Sequence, residues 1–168
     1  MTTFESDLGW IAAAWSGGVL ARLTFGHSSP QVAVSCLAVG EVPTAATRSM
    51  KSLMRRLQSF ASGNRNDDFL DILLLVSGMT VFQQAVIERC RRIPAGETLS
   101  YAGLGQAAGY PGAARAVGRV MATNRFPLIV PCHRVVSASG AIGGFSAPDG
   151  IDMKRRLLKP EQTICRTV

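Results

Sequence analysis

Residues 111–123 read PGAARAVGRVMAT, and in a helix of about 3.6 residues per turn Ala114, Gly118 and Ala122 stack one above another at four-residue spacing. A face that offers nothing larger than a methyl group lets another backbone come unusually close. Two neighbours fit such a face: a second helix packed tightly on it, or a nucleic-acid strand in a minor groove only about 6 Å wide. A reader of the major groove would carry Arg, Asn or Gln there. Here Arg115 and Arg119, themselves four apart, flank the smooth strip instead. Upstream, Ser100 is a good N-cap for a helix starting at Tyr101, Gly109 can end it, and Pro111 is placed to open the second helix. Helix, short turn, helix is the outline of a helix-turn-helix.

Charge points the same way. Residues 1–84 carry six basic and six acidic side chains, whereas residues 85–168 carry twelve basic and five acidic, so the net +7 of the 168-residue chain sits in its second half. A polyanion is the expected partner of that half, although a basic surface kept for solubility has the same signature. Apolar runs such as 72–76 and 128–130 are far shorter than the roughly 20 residues that span a bilayer. The chain starts MTTFESDLGW, acidic where a secretory leader is basic. The expected location is therefore the cytoplasm, or the nucleus in a eukaryote, with no membrane partner; a monomer is also expected.

The first half reads as a small α+β unit. Residues 9–14, a Ser16-Gly17-Gly18 turn and residues 19–25 predict a hairpin, and 32–39 predicts a third strand. In residues 44–61, Met50, Leu53, Met54, Leu57 and Phe60 follow helical spacing, with Gly63 as a stop. Residues 69–76 are apolar enough for a buried strand. His27 is expected in a turn or on the surface. The halves join near Gly78, giving domains 1–78 and 79–168. Thr80 and Gln83 then make a capping box ahead of a helix running through Arg92.

Four cysteines, Cys36, Cys90, Cys132 and Cys165, lie far apart without a CxxC pair, and the chain has only two histidines. That spacing supports a zinc site poorly, and no metal or cofactor is expected. One thiol has suggestive company: the proline-bracketed apolar run 126–131 leads directly into Cys132-His133-Arg134. A thiolate is the reactive form of cysteine, and a neighbouring histidine or cation favours it. In a strand, however, adjacent residues point to opposite faces, so a Cys132–His133 partnership requires a turn or a bridging water. A buried thiol beside a structural histidine remains open on these grounds.

The string PCHRVV, following PGAARAVG and an FQQAV helix with IPAGETLSY, resembles the O6-alkylguanine-DNA alkyltransferase family across residues 81–161. The resemblance implies a small α+β, ribonuclease H-like N-terminal scaffold, followed by a winged-helix-like helix-turn-helix domain that carries the active cysteine. It implies repair of double-stranded DNA containing O6-alkylguanine, and possible action on O4-alkylthymine, by irreversible alkyl transfer to the protein's own Cys132. By the same resemblance His133 would act as base through a water and Glu161 would orient it. Tyr101 would help expel the base and protonate the purine. Arg115 would fill the vacated stack, and Ala114, Gly118, Arg119 and Arg134 would meet the DNA. Asn124 would hold the turn between recognition helix and active-site loop. Val135, Phe145, Ser146 and Lys154 would line the base pocket, with Lys154 and Ser146 near O6. Residues 145–154 are two longer than the family's commoner spacing, so a longer pocket loop is expected. The rival readings are an alkyltransferase-like damage binder, against which Cys132 argues, a DNA-binding regulator, and a Cys-His-Glu hydrolase that would turn over repeatedly.

Overall fold

In a computed structural model, residues 1–37 and 47–164 are described. They form two compact units, Met1–Leu75 and Val76–Val168.

In the first unit, strands β2 (Trp10–Ser16) and β3 (Val19–His27) form the expected antiparallel hairpin, and β1 (Thr2–Phe4) pairs along the other edge of β2. The hairpin closes through Gly17 and Gly18, both at positive φ (56° and 84°), the backbone that matches the twist of the strands it joins. Small side chains on β2, Ala12 and Ala14, let helix α1 (Pro30–Ser35) settle close, with Ala33 and Leu37 completing that core.

Helix α1 replaces part of the third strand expected over 32–39; residues 38 and 39 lie outside the described residues. Val32 and Val34 suggest a strand by composition, but Ser29 accepts a hydrogen bond from the Val32 amide and Pro30 occupies the first helical turn, so a complete N-terminal signal overrides two β-branched residues. Helix α2 (Arg48–Ala61) starts behind a Thr47 cap and buries Met50, Leu53, Leu57 and Phe60. The start expected at 44 falls outside the described residues.

The expected strand at 69–76 is instead a turn with one ladder contact, Leu20 to Leu74. Its cause is local. Asp67 accepts from the Phe69 amide, and Phe69 takes a left-handed φ of 54°. Its ring packs edge-on against Phe60, and Arg56 ties Asp67 to Asp71 by hydrogen bonds to both carboxylates. His27, expected at the surface, is buried at the end of β3 and bonded to Thr24 Oγ1. Burial lowers its pKa.

The second unit opens with α3 (Val81–Arg91), held by a reciprocal capping box: Gln83 N donates to Thr80 Oγ1 at 3.2 Å, and Thr80 N donates to Gln83 Oε1 at 2.8 Å. Helix α4 (Tyr101–Ala107) is capped by Ser100, and α5 (Ala114–Ala122) follows. The second helix begins at Ala114 rather than Pro111. Gly112 at φ 80° turns the chain first, leaving Ala113 at the cap with no side-chain bond. Two-residue strands β4 (Leu99–Ser100) and β5 (Val135–Val136) pair in parallel, setting the start of α4 beside the segment that follows Cys132. Helix α6 (Gly150–Ile164) continues through Pro160 and carries Lys154 and Glu161 on its buried side. No helix among the described residues is long and apolar enough to cross a membrane.

Candidate active site

A cavity of about 380 Å³ opens in the second unit, lined by Tyr101, Gly118, Met121, Ala122, Cys132, Gly144, Phe145 and Ser146. Phe145 and Ser146, expected to line a pocket, both lie in its wall. Met121, Ala122 and Gly144 are additions to the pocket residues expected from the sequence, although Met121 and Ala122 follow Gly118 by three and four residues and so share its helix face.

Cys132 begins a single 3-10 turn, Cys132–Arg134, which removes the strand geometry that would separate it from His133. The approach is irregular. Leu128 has φ 73°, in the left-handed region where a bulky side chain costs about 1–3 kcal/mol. Asn124, at the exit of α5, secures this loop. Its Oδ1 accepts from Phe126 N at 2.9 Å, and its Nδ2 donates to Val130 O at 3.0 Å and to Cys132 Sγ at 3.3 Å. Phe126, Leu128, Ile129 and Val130 are all buried, and that burial offsets the strain. Asn124 thus braces the loop and the sulfur and is not part of the cavity lining.

The next two residues of the turn, His133 and Arg134, join a buried polar network with Glu161. His133 Nε2 is 3.1 Å from Glu161 Oε1, which also accepts from Arg134 Nη2 at 2.9 Å, while Oε2 accepts from Arg134 Nε at 3.0 Å. Arg134 Nη1 donates to Ile93 O at 2.6 Å. Burial alone would push the Glu161 pKa up, but its bonds to His133 and Arg134 more than offset this and hold it at about 2. Glu161 is therefore a carboxylate that only accepts, so His133 Nε2 carries a proton and donates it to Oε1.

The same geometry corrects the expectation that Arg134 meets DNA. It is buried, and a bidentate fork to Glu161 satisfies it, as the low dielectric around a buried charge demands. Val135 is likewise buried in β5 rather than in the cavity wall. Its carbonyl accepts from Lys154 Nζ at 2.6 Å. Lys154 is fully buried and absent from the lining, with Nζ 6.0 Å from the Phe145 ring centre. It stands behind the wall instead of facing a substrate oxygen.

Electrostatics single out Cys132 without making it a resting thiolate. Burial pushes the thiol pKa up, opposed by the Asn124 hydrogen bond and the Lys154 ammonium. Cys90 is also buried, and its thiol is pushed well up. Cys36 is exposed, and Cys165 lies outside the described residues. Tyr101 is half-buried, which raises its hydroxyl pKa and keeps it a proton donor. Gly118 and Gly143 flank its ring: a Cβ on Gly143 would come within 3.2 Å of the hydroxyl oxygen. On α5, Arg115, Arg119 and Ala122 are exposed, and Ala114 and Gly118 are half-buried, so the smooth strip reaches solvent instead of being sealed beneath a helix.

Residues 81–163 match the family model of the 6-O-methylguanine DNA methyltransferase DNA-binding domain. The chain is 44% identical over 101 residues to the bifunctional transcriptional activator/DNA repair enzyme Ada of Escherichia coli, covering 60% of this chain and 28% of Ada. It is 42% identical over 108 residues to the methylated-DNA--protein-cysteine methyltransferase of Mycobacterium bovis, covering 64% of this chain and 62% of that protein. These alignments span less than two thirds of the curated relatives. The fold match is broader: the crystal structure of Mycobacterium tuberculosis OGT in complex with DNA superposes with a TM-score of 0.78 at 34% identity, covering 96% of this chain and 91% of that one. A cysteine followed by a histidine paired to a glutamate, beside a smooth-faced helix-turn-helix and in a fold matched along nearly the whole chain, places the protein in the O6-methylguanine DNA methyltransferase family.

Proposed function

We propose that the chain repairs DNA by moving the alkyl group of O6-alkylguanine onto Cys132, once per molecule. The observation that carries this reading is that Cys132 lines a cavity with Tyr101, Phe145 and Ser146, while the next residue of its 3-10 turn, His133, pairs with Glu161.

The smooth strip of α5 follows the minor groove, with Arg115 and Arg119 beside it. The damaged base leaves the stack, which costs a few kcal/mol and less when its pairing is already weak. Arg115 occupies the space it vacates. His133 Nδ1 takes the Cys132 proton across a bridging water, and Glu161 stabilises the imidazolium. The thiolate attacks the alkyl carbon. The new S–C bond forms as the C–O6 bond breaks, and the electron pair moves into the purine, where Tyr101 supplies a proton to the ring. Asn124 steadies the sulfur during the displacement, and Lys154 places a positive charge behind it. Ser146, on the cavity wall, is available to the leaving oxygen. A thioether is the chemical end point, so the protein is consumed.

The test is intact-mass spectrometry after incubation with duplex DNA containing O6-methylguanine, followed by peptide mapping. One added methyl group on Cys132, and none on Cys36, Cys90 or Cys165, is expected. Spread over several cysteines, or turnover well beyond one equivalent, would exclude the mechanism.

A further inference from the structure

The first unit is neutral by count, but its charges are segregated. Asp67, Asp68 and Asp71 lie together within 4.8 Å, and Arg56 is bound to two of them. Arg65 is buried with its guanidinium over the Phe60 ring. The remaining cations of α2, Arg48, Lys51 and Arg55, are exposed, and none has a carboxylate partner among the described residues.

At about 100° per residue these three fall within an arc of roughly 60°, and Ser52 lies just beside it. The exposed face continues through Gln58 and Ser59, so it carries cations, hydroxyls and an amide and no acid. Glu5 reaches it through its backbone carbonyl, on Gln58 Nε2 at 3.3 Å, and Asp67 and Asp68 share a pocket with Ser59 at the end away from Arg48, where Arg56 pairs with Asp67. Arg, Lys, Ser and Gln are the side chains that contact phosphate and sugar in protein–DNA interfaces. From Arg48 to Arg55 the helix rises about 10 Å, the length of roughly three phosphates of one strand measured along the duplex axis.

We propose that this face of α2 is a phosphate-backbone contact for duplex DNA, independent of sequence and of damage. The proposal rests on DNA being the substrate of the second unit: a contact too weak to act alone gains from being tethered to a DNA-binding partner. It gives the first unit a role beyond support.

The test compares the full chain with its Arg48→Gln/Lys51→Gln/Arg55→Gln variant for binding to undamaged duplex across a series of salt concentrations. Each lost phosphate contact lowers the slope of log affinity against log salt by about 0.9, so the slope should become shallower by about 2 to 3. Arg48→Lys/Arg55→Lys should keep the original slope. Transfer from the free O6-alkylguanine base to Cys132, followed by intact mass, should match the unmodified chain in both variants. An unchanged slope, or a loss confined to binding of anionic lipid vesicles, overturns the contact. Failure of the unmodified chain to accept an alkyl group would instead strike the proposed repair reaction and leave the salt measurement standing.

Discussion

Replacing Asn124 by Ala should both loosen the active-site loop and weaken the thiol, and the structure gives the size of each effect. The side chain makes three hydrogen bonds. Two of their partners, Phe126 N and Val130 O, belong to buried residues. Leaving a buried amide and a buried carbonyl unpaired costs about 1–3 kcal/mol each, partly recovered if water enters, so a net loss of about 2–4 kcal/mol is expected. The left-handed Leu128 loses a restraint at the same time. Cys132 loses a bond that favours its charged form, so its pKa moves up and its reaction with iodoacetamide shifts to higher pH. Asn124→Asp separates the two effects. It keeps the acceptor for Phe126 N, but it replaces the Nδ2 donor to Val130 O and Sγ with a carboxylate oxygen, so the Phe126 bond survives while the thiol pKa rises more than in Asn124→Ala. Unfolding should be followed by far-UV circular dichroism, because Trp10 and Trp15 both lie in the first unit and their emission reports on that unit. Urea midpoints give the stability term, and the pH dependence of Cys132 alkylation gives the electrostatic term. A loss below about 1 kcal/mol with an unshifted thiol profile in Asn124→Ala would refute the bracing role.

Arg115→Ala should slow single-turnover transfer from saturating duplex by a few kcal/mol of barrier at most, while transfer from the free base stays unchanged; an unaltered duplex rate would reduce Arg115 to a docking contact. Glu161 has a folded pKa of about 2 against an ordinary value of 4.5, so it contributes stability that is complete above about 4.5 and is lost as pH falls toward 2. That contribution is roughly 3 kcal/mol, and urea midpoints measured between pH 7 and 3 should show a decline that Glu161→Gln flattens. Gly105→Ala would place a Cβ 3.0 Å from Tyr110 O and 3.4 Å from Val117 Cγ2, so the helix-turn-helix should lose about 1–3 kcal/mol in thermal unfolding; an unchanged midpoint would mean the turn yields freely.

Features governed by a few neighbouring residues are legible in the amino-acid sequence alone. The Gly17-Gly18 turn, the Thr80–Gln83 box, the Ser100 cap and the Ala114–Gly118–Ala122 strip are all decided within one or two turns of chain, by positive φ, capping bonds and helical period. The same local logic accounts for the helix found where a strand is expected over 32–39: Ser29 and Pro30 supply a helix start next to two valines that favour a strand, and the start prevails. Residues 69–76 are different, since their turn depends on Arg56 reaching Asp67 and Asp71 from α2, 11 and 15 residues away. The fate of each charge near the thiol lies beyond local patterning altogether. Arg134 sits beside Cys132 and His133 in sequence and looks like a cation for DNA, yet Glu161, 27 residues on, draws it inside. Lys154 looks like a substrate contact until the Val135 carbonyl claims it from 19 residues away. Desolvation makes burying an unpaired charge prohibitive, so whether a charged side chain faces solvent or the interior is settled by the partner that tertiary packing brings to it, and the sequence around the charge does not contain that partner.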